Sequence, residues 1–125
     1  MAGRLAGRRI LVVEDEYFIA SDMKRALVEE DAIVVGPVGQ LDKGLALASS
    51  EAVDAAVLDV NLGNATTYPI AERLRETATP WVFVTGYDGW SMPPEYRDAR
   101  RLAKPFSIGK VVDAVVEMIA GEAIA

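Results

Sequence analysis

Short apolar runs alternate along the chain with segments in which apolar residues recur at helical spacing. Ile10-Leu11-Val12-Val13 is an uninterrupted run that stops at Glu14-Asp15-Glu16. Runs of this kind suit a strand buried on both faces. Ile19, Met23 and Leu27 then recur between Asp22, Lys24, Arg25 and Glu29, which predicts an amphipathic helix. Ile33-Val34-Val35 predicts a second strand ending at Gly36-Pro37, and Leu41 to Ser50 a second helix. Ala55-Ala56-Val57-Leu58 predicts a third strand that runs into Asp59, followed by the turn-prone Asn61-Leu62-Gly63-Asn64. Ile70 and Leu74 mark a third helix that stops near Thr79-Pro80. Trp81 to Val84 predicts a fourth strand that stops at Thr85-Gly86. Tyr87 to Ala99, with Pro93-Pro94, predicts a loop with at most a short helix. Arg101-Leu102-Ala103 is a weak fifth strand, and Val111, Val112, Val115, Val116 and Ile119 form the apolar face of a terminal helix.

Strands alternating with helices predict a parallel sheet covered on both faces. In such sheets ligands lie outside the carboxyl ends of the strands. Glu14 and Asp15 follow the first strand, Asp59 ends the third, Thr85 the fourth, and Lys104-Pro105 the fifth. Each alone has a plain structural reading. An acid after a strand often caps a helix or sits in its first turn, where Glu16 is expected, and a Thr before Gly is a common turn residue. Together they bring carboxylates, a hydroxyl and an ammonium from four places in the chain to one edge. Crowded carboxylates require a cation, and an all-oxygen ligand set favours Mg²⁺. An aspartate there can attack phosphorus to form an acyl phosphate, with the hydroxyl and ammonium holding the phosphoryl oxygens.

Composition narrows the chemistry further. The chain has 125 residues, enough for one domain, and contains neither Cys nor His. That excludes disulfides, thiolate or imidazole metal sites and His-based triads. The net charge of −6 speaks against nucleic acid or an anionic membrane as partner. Met1 to Gly7 lacks the apolar run of a signal peptide, and no apolar stretch approaches the roughly 20 residues of a membrane span. The expected location is cytoplasmic. The expected organisation is a flexible N-terminal segment 1–7, one domain over 8–120 and a tail at 121–125.

From Arg8 to Ile119 the chain resembles the receiver domains of bacterial response regulators. The matching pieces are Ile10 to Glu16, Ala55 to Leu62, Phe83-Val84-Thr85-Gly86 and Ala103-Lys104-Pro105-Phe106. The resemblance implies a flavodoxin-like, doubly wound five-stranded parallel α/β sheet in the order 2-1-3-4-5, with a short or degenerate fourth helix. It implies that Asp59 is phosphorylated. Glu14, Asp15, Asp59 and the carbonyl of Asn61 would hold Mg²⁺, and Thr85 and Lys104 would contact the phosphoryl group. The Lys104-Pro105 bond would be cis. Pro80-Trp81-Val82-Phe83-Val84-Thr85-Gly86-Tyr87 further resembles the motif of the FAT GUY receivers, with Trp81 and Val84 as departures. Those receivers are often single domains that work with HWE-type or related histidine kinases. The partner implied is a sensor histidine kinase, with self-catalysed phosphoryl transfer and autodephosphorylation rather than enzymatic turnover. The protein itself is expected to be a monomer or weak dimer.

Three features depart from the wider family. Arg101 stands three positions before Lys104, where most receivers carry an aromatic switch residue. The interval from Thr85 to Lys104 is short for a full helix and two loops, so residues 86–100 are expected to be mobile until phosphorylation orders them. Glu14 is one methylene longer than Asp. Only a few residues follow the last predicted helix, so the signal is expected to leave by protein contact or to end in a phosphate sink. Exposed Tyr87, Trp90 and Tyr96, with Arg101, are the expected output surface. Two alternatives stand beside this reading. One is a pseudo-receiver that binds without being phosphorylated. The other is a haloacid-dehalogenase-like phosphohydrolase, disfavoured because Asn61 occupies the place of that family's second acid.

Overall fold

The computed structural model describes residues 3–86 and 92–124, with side chains through Gly121. Five parallel strands form one sheet in the order β2-β1-β3-β4-β5. They are β1 (Arg9–Val13), β2 (Ile33–Val38), β3 (Ala55–Asp59), β4 (Trp81–Thr85) and β5 (Arg101–Ala103). Among the described residues four helices connect and cover them: α1 (Tyr17–Glu29), α2 (Leu41–Ser50), α3 (Tyr68–Glu76) and α4 (Ile108–Ile124). The fold is the flavodoxin-like α/β arrangement.

Strand pleating builds the two cores. Side chains alternate across a strand, so Ile10 and Val12 face one way and Leu11 and Val13 the other. Ile10, Val12, Val57, Val82 and Val84 pack under Met23 and Leu27 of α1 and Val111 and Val115 of α4. Leu11, Val13, Leu58 and Phe83 pack under Ala48 of α2 and Ile70 and Leu74 of α3. Both faces are thus covered, which is why β1, β3 and β4 read as continuous apolar runs.

β2 runs on to Val38, beyond the stop expected at Gly36-Pro37. The register with β1 shifts between Leu11 and Val13, so that Val13 pairs with Val38 across the irregularity. Gly36 makes this possible: its φ is +99°, and a Cβ there would lie 2.9 Å from the Val12 carbonyl oxygen. The Gly36-Pro37 bond is cis. Beyond the irregularity, the Glu14 amide donates to the Val38 carbonyl at 2.9 Å, which ties the start of the acidic segment to the sheet.

Both ends of the chain differ from expectation. Residues 3–7, expected to be flexible, form a turn docked beneath α1. Leu5 is fully buried in the α1/α4 core, and its amide donates to the Glu30 carbonyl at 2.9 Å. Arg4 pairs with both Glu30 and Asp113, bridging the ends of α1 and α4. Apolar burial of one leucine holds the segment down where composition alone predicts a loose end. At the other end α4 continues through Ile124, so helix replaces most of the tail expected at 121–125. Between β4 and β5 the described residues hold only a 3₁₀ turn, Pro94–Tyr96. The expected degenerate helix is reduced to that. Tyr87 and Trp90, with the rest of 87–91, lie outside the described residues. Among the described residues no helix is long and apolar enough to cross a membrane.

Candidate functional site

The sheet register delivers the polar groups to one edge. Val13 pairs with Leu58, Asp59 with Val84, and Thr85 with Ala103. Glu14, Asp59, Thr85 and Lys104 therefore leave four neighbouring strands at nearly one level. The Lys104 amide donates to the Thr85 carbonyl at 2.8 Å, fixing the lysine beside the hydroxyl-bearing residue. The Lys104-Pro105 bond is cis.

Burial makes the cluster unusual. Glu14 is 3% exposed, Asp59 4% and Thr85 1%. Asp15 reaches in from the solvent side, and one carboxylate oxygen from each of Glu14, Asp15 and Asp59 lies within 4.8 Å of the others. The Lys104 ammonium sits 3.4 Å from Glu14 Oε1 and 3.4 Å from Asp59 Oδ2. The extra methylene of Glu14 carries its carboxylate to the lysine, a contact that spacing along the chain did not reveal. Glu14 Oε2 accepts the Glu16 amide at 3.1 Å, while Oε1 has no hydrogen-bond partner. Glu16 is the N-cap residue of α1, without a side-chain cap bond.

One ammonium does not balance three carboxylates. Burial, then the adjacent Glu14 carboxylate, pushes the Asp59 carboxyl up to about 8 against the opposing pull of Lys104. Burial works to lower the Lys104 ammonium, but the charges of Asp59 and Glu14 outweigh it and hold it above its ordinary value. Asp59 therefore holds a proton near neutrality, and a protonated Asp59 is no nucleophile. A divalent cation can take the place of that proton. Three convergent carboxylate oxygens are hard donors that fit Mg²⁺, and Glu14 also carries a buried Oε1 without a hydrogen bond. Asn61 turns its side chain back on the loop, where Oδ1 accepts the Gly63 amide at 2.8 Å. The same loop is closed by a bridge between Asn61 and Thr66.

The expected output residues are placed differently. Tyr96, expected to be exposed, is 1% exposed and packs inward on Phe83 and Tyr68. A loop residue turns inward when the neighbouring elements leave an aromatic-sized gap, and α3 and β4 leave one here. Arg101 is exposed, and its guanidinium donates to the Arg97 carbonyl at 2.6 Å. Sequence reasoning passed over Tyr68, Glu72 and Arg75, which surround Tyr96. Their one signal was the spacing of Tyr68 and Glu72 on one helical face.

Comparison with known proteins agrees with this geometry. The family model for the response regulator receiver domain matches residues 10–116. The transcriptional regulatory protein PdtaR of Mycobacterium tuberculosis is 30% identical over 112 residues. The match covers 86% of this chain but 55% of PdtaR, so the chain spans about half the length of that curated relative. The solution structure of SdrG from Sphingomonas melonis Fr1 is 36% identical with a TM-score of 0.75, covering 92% of this chain and 98% of SdrG. The response regulator TrrA of Thermotoga maritima, solved in complex with Mg²⁺–BeF, shares the fold at 22% identity and a TM-score of 0.76, covering 89% of this chain and 98% of TrrA. With the acidic cluster, the strand-end Asp59, Thr85 and Lys104 all on one sheet edge, this chain belongs to the response regulator receiver domain family.

Proposed function

We propose that this chain is a receiver switch in which Asp59 accepts a phosphoryl group from the phosphohistidine of a sensor histidine kinase. The observation that carries this reading is the pair of buried carboxylates Glu14 and Asp59 beside the half-buried Lys104, with the ammonium 3.4 Å from each. In the transfer an Asp59 carboxylate oxygen bonds to phosphorus as the phosphorus–nitrogen bond of the phosphohistidine breaks, and the electron pair stays with the imidazole. Glu14, Asp15, Asp59 and the Asn61 carbonyl would hold Mg²⁺, which when bound neutralises the carboxylates and the incoming phosphoryl charge. Lys104 would pair with a phosphoryl oxygen, and Thr85 would donate its hydroxyl to another.

The Pro80 to Tyr87 motif and the likeness to SdrG support a place among FAT GUY receivers, with an HWE-type or related kinase as donor. The phosphorylated form would work in the cytoplasm, as a monomer or weak dimer, by protein contact or as a phosphate sink. Arg101, in place of the usual aromatic, favours a second reading, a pseudo-receiver. Acetyl phosphate with Mg²⁺ and intact mass measurement separates them. The receiver gains the mass of one phosphoryl group, and Asp59→Asn gains none. A wild-type chain that gains no mass would be the pseudo-receiver, and sustained release of phosphate from esters would mark a hydrolase.

A further inference from the structure

The turn Pro94–Tyr96 is anchored by one side chain. The Tyr96 ring stacks on Tyr68, with centroids 4.8 Å apart and planes 7° from parallel, and meets Phe83 at 5.6 Å in a T-shaped contact. Its hydroxyl donates to Glu72 Oε1 at 3.0 Å. Glu72 also pairs with Arg75 at 2.9 Å, and the Arg75 guanidinium lies 5.2 Å from the Tyr96 ring centroid. Hydroxyl, carboxylate, guanidinium and ring face thus close a circuit of contacts. Burial, then the Glu72 bond, pushes the Tyr96 hydroxyl up to about 12, so it remains a donor at neutral pH.

The two aromatic neighbours lead to the acidic site from different sides. Tyr68 is the first residue of α3 and directly follows the loop that leaves Asp59. That loop closes just before it, where the Thr67 amide donates to the Val60 carbonyl at 3.0 Å and the Leu62 amide to the Ala65 carbonyl at 2.8 Å. Phe83 lies two residues before Thr85 on β4. Arg101 makes no comparable contact, because its guanidinium is turned outward to the Arg97 carbonyl.

We propose that Tyr96 is the coupling residue of this domain, latching residues 92–100 onto α3 so that they open and close together with the loop after Asp59. Its use in signalling rests on the receiver reading; the coupling itself rests on packing alone. Opening free energies are shared by segments that pack as a unit, so breaking the latch must loosen both.

Amide hydrogen exchange on the full chain, without metal or phosphodonor, tests the coupling separately from phosphorylation. The reporters are the hydrogen-bonded amides at positions 96, 99, 62 and 67. The β1 amides serve as the reference for global opening. In Tyr96→Leu, exchange at 96 and 99 is expected to rise roughly tenfold, and at 62 and 67 several-fold, with the reference unchanged. Tyr68→Leu is expected to loosen the same two segments from the other side. Tyr96→Phe keeps the ring and removes the hydroxyl. It should give a smaller rise at all four amides, and it decides the matter if the leucine variants do not fold. A rise confined to 96 and 99, or none at 62 and 67 in any folded variant, overturns the proposal. A chain that shows the two-segment rise but takes nothing from acetyl phosphate keeps the latch and loses only the receiver reading.

Discussion

Replacing Asp59 with Asn isolates what it takes to hold a second carboxylate in a buried site. In the unfolded chain this carboxyl titrates near its ordinary 3.8, whereas burial and Glu14 raise it to about 8 in the folded protein. Between about pH 4 and about pH 8 the native state therefore keeps a proton that the unfolded state has released. Stability then falls as pH rises through that window, by at most about 1.4 kcal/mol per pH unit, and levels off above it. From about pH 4 to about pH 7 the loss reaches on the order of 4 kcal/mol, a large share of the ~5–15 kcal/mol that holds a small domain together. The slope belongs to Asp59, and Asn removes it by leaving Glu14 as the buried carboxylate beside Lys104. Urea unfolding in EDTA, followed by circular dichroism across this range, reads the difference. Asp59→Asn should gain on the wild type steadily as pH rises and be the more stable protein near neutrality. Mg²⁺ should close much of the gap, since binding releases the Asp59 proton. Parallel stability curves for the two proteins would refute the reasoning, because Asp59 would then ionise as an ordinary carboxyl.

Other perturbations probe separate parts of the molecule. Lys104→Met removes the ammonium that opposes the proton on Asp59, so the downward slope of metal-free stability should extend to higher pH, read by the same titration. Leu5→Ala should destabilise the fold by about 2–4 kcal/mol as a core truncation, whereas Arg4→Ala, whose ion pairs are exposed, should change it by less than about 1 kcal/mol. Equal midpoints for Leu5→Ala and wild type in urea would mean the N-terminal turn is not docked. Gly36→Ala should lower stability by about 1–3 kcal/mol, because Ala is strained at a φ of +99° and its Cβ meets the Val12 carbonyl. A thermal midpoint unchanged in that variant would argue against the register shift between β1 and β2.

The elements were legible because their signals are local. β1, β3 and β4 are buried on both faces, so their apolar runs need no partner to be read, and α2 and β5 fall on the predicted spans. The site residues were legible for a related reason: a parallel sheet carries every strand end to the same edge whatever the helices do. The residues at each strand end are therefore readable from order alone, and Glu14, Asp15, Asp59, Thr85 and Lys104 converge accordingly.

Direction and docking were settled only by tertiary packing. Nothing within Pro94-Glu95-Tyr96 states whether the tyrosine faces solvent or core; the gap between α3 and β4, and an acceptor on Glu72, draw it inward. Leu5 sits in a segment that composition marks as loose, and it is buried because the ends of α1 and α4 leave a leucine-sized space beneath them. The extension of β2 past a cis Gly36-Pro37 bond depends on a glycine conformation that only the register with β1 selects. The contact of Glu14 with Lys104, and the burial beside Glu14 that raises the Asp59 carboxyl, arise only when the strand ends are brought together. The sequence by itself determined which chemistry gathers at the sheet edge. The tertiary structure decided how deeply that chemistry is buried and what is wired to it, because burial and contact are properties of elements packed together.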